Sequence, residues 1–254
     1  MKIFTCLIMI TLCFLLPSCN LFYVDFDDLY EKNGIVYYSE NDQPFCGTAV
    51  DYFNNGKKSR HVEYLNGKKN GKGSAWYDNG QQEYKGNYIA GLKDGLYEGW
   101  YKNGIKGLET QYKNDDYHGM YTQWYENGQV KERCLYKDGL RSGFCEWFHE
   151  NGSKWIEITF KNGNENGRWI AWYDTGQIRE EVDYVDGRKN GLWVEYYKNG
   201  AKLTEGNFKN GKEEGEWNGY HENGKKSFSK IYSNGILHKV TEWEIDGQEK
   251  IMPE

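Results

Sequence analysis

Histidines, cysteines and paired carboxylates are the side chains that most often carry catalysis or hold metals, so their spacing comes first. His61, His118, His149, His221 and His238 are scattered over 254 residues, and none forms an H-E-x-x-H pair. The sequence holds neither a phosphate-cradling G-x-x-x-x-G-K-[ST] loop nor a G-x-S-x-G nucleophile turn. Asp and Glu are plentiful but alternate with Lys and Arg, as on a solvated face. The run Asn162-Gly163-Asn164-Glu165-Asn166-Gly167 lacks the acidic ladder of a calcium loop. No cysteine pair has zinc spacing. These patterns assign no catalytic residue, no cofactor and no metal site. His149 and His221 occupy a position that Tyr77, Tyr101, Tyr125, Tyr173 and Tyr197 fill elsewhere, which marks it as a repeated structural slot.

The cysteines divide by position. Met1 and Lys2 precede an apolar run from Ile3 to Leu16, the layout of a secretory leader and too short for a comfortable membrane span. Leu16-Pro17-Ser18-Cys19 resembles a bacterial lipobox, although Pro17 departs from its usual small or β-branched residue. Residues 1–18 are therefore expected to be a lipoprotein signal peptide, with Cys19 the lipidated N-terminus. Each buried CH₂ of the acyl chains would contribute ~0.8 kcal/mol to anchoring. The expected location is the bacterial cell envelope, on the periplasmic side or the cell surface. Cys46, Cys134 and Cys145 remain. Cys134 and Cys145 flank Gly139-Leu140 symmetrically, so they face each other across a predicted hairpin. A disulfide and two free thiols both remain open there. Cys46 is left over.

The elements that position these residues are strands. Aromatics reach 17% and glycine contributes 31 residues, while hydrophobic residues stop at 38%, so any core must be thin and rich in rings. Net charge is −6, and removal of Lys2 with the leader takes it to −7. With no basic block, the chain does not suit a phosphate backbone, and nucleic acid is excluded as a partner.

The organising signal is a period of 24 residues. Gly56, Gly80, Gly104, Gly128, Gly152, Gly176, Gly200 and Gly224 are each 24 apart. A second series holds Gly67, Gly91, Gly139, Gly163, Gly187, Gly211 and Gly235, with Asp115 standing in once. A third runs Gly47, Gly71, Gly95, Gly119, Gly143, Gly167, Gly191 and Gly215. Between them the residues alternate, as in Ile178 to Tyr184 and Leu192 to Tyr197, and Asn-Gly pairs supply the turns. Each unit reads as strand, turn, strand, turn. Tyr64, Tyr88, Tyr112, Tyr136, Phe160, Tyr184, Phe208 and Tyr232 close the first strands, and Tyr97, Tyr121, Trp169, Trp193 and Trp217 open the second. Trp76, Trp100, Trp124, Phe148, Trp172, Tyr196 and Tyr220 stand on the opposite face. At ~4.8 Å per strand, roughly seventeen strands would make a ribbon on the order of 80 Å long. Residues 19–32 read as a tether, 33–238 as the repeat domain of eight to nine units, and 239–254 as a C-terminal cap and tail, since Lys239 replaces the third glycine.

Units such as Tyr125-Glu126-Asn127-Gly128 and Lys209-Asn210-Gly211-Lys212-Glu213-Glu214-Gly215-Glu216-Trp217 resemble the MORN repeat family in its bacterial variant form. The segments 33–38 and 44–47 are also similar to members labelled antitoxin-like. The resemblance implies an all-β, elongated, single-layer antiparallel sheet of stacked hairpins. It also implies a non-catalytic scaffold or binding module for a protein partner, or an antitoxin-like neutraliser of a toxin. The ladder Trp76, Trp100, Trp124, Phe148, Trp172, Tyr196 and Tyr220 is the candidate strip for protein, glycan or lipid headgroup. The competing reading is that these rings stack on one another to stabilise the ribbon.

Overall fold

The computed structural model describes residues 22–250, so the leader and Cys19 lie outside the described residues. The alternating segments form the expected hairpins. First strands run Lys58–Leu65, Gln82–Ile89, Lys106–Lys113, Val130–Lys137, Lys154–Lys161, Ile178–Val185, Lys202–Lys209 and Lys226–Ser233. Second strands include Lys68–Trp76, Leu92–Trp100, Leu140–Phe148 and Lys212–Tyr220. Three others are interrupted, as in Asp116–Tyr117 followed by Gly119–Trp124. These strands pair antiparallel in one open sheet of 21 strands, twenty of them from Gly47–Tyr52 to Ile236–Glu242 and the last, Tyr23–Asp25, added beside Gly47–Tyr52.

Each glycine series has its own geometric task. In the tight hairpins both central residues take positive φ, as in Asn66 (51°) and Gly67 (73°), which matches the right-handed strand twist. The wider turns bring the Tyr77 N–H to the Gln81 carbonyl at 2.9 Å and the Gly80 N–H to the Tyr77 carbonyl at 2.8 Å. The third glycine sits at a bulge and pairs with the closing ring of the next strand: Gly71 faces Tyr88 and Gly143 faces Phe160. Neighbouring units are also tied outside the ladders. The Gly91 N–H reaches the Lys69 carbonyl at 2.7 Å, and the contact recurs at Gly139, Gly163, Gly187, Gly211 and Gly235.

The ends depart from the single antiparallel layer. The stretch expected to be a tether folds from Phe22 onward: Tyr23–Asp25 pairs in parallel with Gly47–Tyr52, and a short 3₁₀ turn follows at Phe26–Asp28. Leu29–Lys32, Ile35–Tyr38 and Gln43–Pro44 form a separate three-stranded sheet. It covers the first strands, burying Val24, Phe45, Ala49, Val62 and Tyr64 beneath Phe26, Leu29, Val36 and Tyr38. Apolar residues too crowded for a tether explain the difference. The cap supplies a second layer and covers the sheet's first edge.

At the far end, Lys239 replaces the bulge glycine and the strand loses a residue. Tyr64 and Val62 face Lys69 and Gly73, leaving three residues between the partners, whereas Tyr232 and Ile231 face Leu237 and Lys239, leaving one. The unit's next turn therefore arrives early, with the Gly247 N–H bonded to Glu244 at 2.8 Å and Gly247 at a φ of 94°. Repeat geometry thus continues into the segment read as a cap.

Candidate functional site

The pleat gives the ribbon two chemically different faces. One is a ring face. Tyr84 stacks on Tyr97 at 5.7 Å, Tyr97 meets Tyr112 edge-on at 5.6 Å, and Tyr112 lies 4.9 Å from Tyr117. Further along, Trp193 stacks on Trp217 at 5.3 Å and Phe208 meets Trp217 at 5.0 Å. Such pairs are worth about 0.5–1.5 kcal/mol each beyond burial. Burial pushes the Tyr88 hydroxyl up to about 12, and drives Tyr97, Tyr112 and Tyr121 higher still. These rings stay neutral at physiological pH. Cations lie over them, with Lys93 4.5 Å from the Tyr97 ring and Lys189 5.2 Å from Phe208.

The other is an ion-pair face. Glu98, only 8% exposed, takes Lys85 at 2.7 Å and Lys106 at 2.8 Å. Burial acts to raise the Glu98 carboxyl, but these two ammonium groups hold it below its ordinary range. Arg168 binds Glu181 at 2.6 Å, and Lys202 binds Glu205 at 2.7 Å.

The predicted ladder lies on this second face, opposite the stacked rings, and every member is half-buried. No ring pair among the described residues joins two ladder members. Lysines sit over its rings instead: Lys58 at 5.5 Å from Trp76, Lys85 at 5.3 Å from Trp100, Lys106 at 6.0 Å from Trp124 and Lys154 at 5.4 Å from Trp172. Tyr196 donates to Glu181 at 2.9 Å and Tyr220 to Glu205 at 2.6 Å. Ring-on-ring stacking therefore belongs to the opposite face, and the ladder is shielded by cations rather than laid bare.

The shared Tyr/His slot is structural. Tyr77, Tyr101, Tyr125, Tyr173 and Tyr197 each donate to the carbonyl of a ladder residue one unit on, at 2.7–2.8 Å. His149 and His221 place Nε2 3.4 and 3.1 Å from the corresponding carbonyls of Trp172 and Trp243. Cys134 and Cys145 are directly opposite with Cα atoms 4.2 Å apart, and a disulfide joins them in the buried centre of the ring face. Cys46 is also disulfide-bonded, so it is not the leftover thiol that the sequence suggests. Among the described residues no group of three His, Cys, Asp or Glu could hold a metal ion.

Two tryptophans escaped the sequence reading. Trp147 and Trp155 stand where other units carry Ala75, Gly99 and Ala171, or Ser59, Gly107 and Ser227. Their signal is departure from the repeat, which recurrence of rings does not reveal.

Stacked hairpins with these turns define a tandem β-hairpin repeat protein. The family model of the MORN repeat variant matches residues 117–138, 143–162, 165–186 and 189–210. The matched stretches are MORN variant repeats, and the hairpins on either side of them, from 58 to 220, keep the same turns. No curated protein matches the chain. Its repeats make it a repeat-based binding module.

Proposed function

We propose that the protein is an exported, lipid-anchored, non-catalytic scaffold whose ribbon presents a docking face to a protein partner at the bacterial envelope. The observation that carries the reading is an apolar row on the otherwise charged ion-pair face. Leu96 (46% exposed), Met120 (51%), Leu135 (39%) and Phe144 (50%) lie on neighbouring strands around Gln111, with Met120 directly opposite Leu135. A row of exposed apolar side chains framed by ion pairs matches the composition of an interface core and its rim. The lipobox-like Leu16-Pro17-Ser18-Cys19 supports the anchor. Repeated side chains committed to turns, slots and ion pairs support a scaffold over an enzyme.

The test places a photocrosslinking amino acid at position 120 and, as a control, at position 212 beside a hairpin turn, and exposes living cells to light. Capture of a discrete protein partner from position 120 alone, lost on Leu135→Asp, is expected. Equal capture from both positions would overturn the docking face. For the anchor, palmitate labelling should appear in the wild type and vanish in Cys19→Ala.

A further inference from the structure

We infer that the ring face carries a binding subsite for a neutral pyranose sugar, built where the fourth and fifth full repeats meet, on the face opposite the apolar row. A cavity of about 310 Å³ opens there, lined by Arg141, Trp147, Trp155, Glu165, Trp169 and Tyr184 above a floor of Ile158 and Phe160. Ligand pockets run from roughly 300 to 1,000 Å³, so this one fits a small ligand.

Two of its aromatic walls, Trp147 and Trp155, do not belong to the repeat. Trp147 replaces the Ala, Gly or Gln of most other units, and Trp155 replaces Ser, Gly, Leu or a charged residue. A side chain that recurs in every copy is explained by architecture; these two are not. Trp155 keeps 40% of its surface exposed. The floor is rigid, because Ile158 and Phe160 are buried against the Cys134–Cys145 disulfide, itself unique to this unit.

The polar groups select the ligand. Arg141 already lies over Trp147 at 5.1 Å and Phe160 at 5.5 Å, so an organic cation would meet like charge on occupied ring faces. The Arg141 charge is matched by Glu132 at 2.9 Å, while the Glu165 carboxylate has no hydrogen-bond or ion-pair partner among the described residues, which disfavours an anion. What remains welcome is a neutral molecule with an apolar face and hydroxyl groups at its rim. A pyranose ring offers C–H groups to a tryptophan plane, and its equatorial hydroxyls can donate to Glu165 and accept from the Arg141 guanidinium. The indole N–H groups of Trp147, Trp155 and Trp169 have no protein acceptor among the described residues and add donors.

The test is calorimetric titration with three tetrasaccharides, the β-1,4 and α-1,4 glucose tetramers and the β-1,4 N-acetylglucosamine tetramer, alongside 4-ethylphenol as a mimic of a protein side chain. Saturable binding of at least one sugar is expected. Trp155→Ala should weaken it about tenfold, the equivalent of ~1.4 kcal/mol, and Glu165→Gln should weaken it severalfold. Trp100→Ala on the opposite face should leave it unchanged. Glu165→Gln retains shape, so it remains informative if Trp155→Ala loses its fold. Binding by none of the sugars, binding of 4-ethylphenol alone, or equal loss in Trp100→Ala would overturn the subsite. None of these outcomes bears on photocrosslinking at position 120.

Discussion

The Tyr125 hydroxyl donates a 2.8 Å hydrogen bond to the backbone carbonyl of Phe148, 23 residues further on. The bond joins the turn of one repeat to the strand end of the next, and four other tyrosines repeat it. A half-buried carbonyl that loses its donor forfeits about 1 kcal/mol. Tyr125→Phe should therefore lower the urea midpoint, while His149→Tyr, which replaces a 3.4 Å imidazole approach to the Trp172 carbonyl with a phenol donor, should raise it. No change in either variant would remove the slot from the list of inter-repeat ties.

Gly206 has a different task. A Cβ built there meets the Trp217 ring, which is only 8% exposed and packed against Trp193 and Phe208. Gly86 lies under Tyr97 and Gly219 under Phe228 in the same way, each ring covering the backbone that the glycine leaves open. Gly206→Ala must displace Trp217, and overpacking of this kind costs roughly 1–3 kcal/mol. A matched Gly215→Ala would meet nothing within 4 Å, so its cost would come from a φ of +74° alone. Thermal unfolding should rank Gly206→Ala below wild type with altered Trp fluorescence, and Gly215→Ala should lack the fluorescence change.

These residues also show what was legible in the sequence. Turns and bulges were readable because each imposes a backbone need that Gly, Asn or Asp meets, and a need repeated eight times stands out. The opposite parity of Trp217 and Tyr220 followed from counting along a strand. The folded stretch from Phe22 was not readable, because a cap is used once and has no period. Nor could alternation alone tell which face would stack its rings. Tyr97 reaches Tyr84 and Tyr112 across the sheet, whereas lysine ammonium groups lie over Trp100 and Trp124. The cavity beside Trp155 was hidden for the same reason as the cap.

The Cys134–Cys145 disulfide closes a hairpin of sequence separation 11 at a fully buried point of the ring face. In the chain-entropy account a loop of this size contributes about 3 kcal/mol. The paired Cys134→Ala, Cys145→Ala variant should unfold several degrees below wild type. Adding a reductant should bring wild type down toward the variant and leave the variant unmoved. A variant as stable as wild type would mean that packing by Ile158 and Phe160 holds this hairpin without the covalent link.

Acid should act on the ion-pair face first. Lys202 and Tyr220 hold the Glu205 carboxyl below its ordinary value of 4.5, and Arg168 and Tyr196 do the same for Glu181 against the opposing effect of burial. A depressed folded pKa gives stability that is complete above 4.5 and is lost as pH falls through the folded value. Glu195 has the reverse sign. Burial, and then Glu180 directly opposite on the neighbouring strand, raise its carboxyl above 4.5. Its charged form therefore opposes folding at neutral pH, and that penalty fades as pH falls toward 4.5. Like charges directly opposite on paired strands cost on the order of 0.5 kcal/mol. Glu195→Gln should raise the unfolding temperature at pH 7 and converge on wild type near pH 4. Glu205→Gln should lower it at pH 7, with the deficit shrinking as acid removes the same ion pair from wild type. A Glu195→Gln gain that persisted unchanged at pH 4 would assign the effect to packing instead of charge.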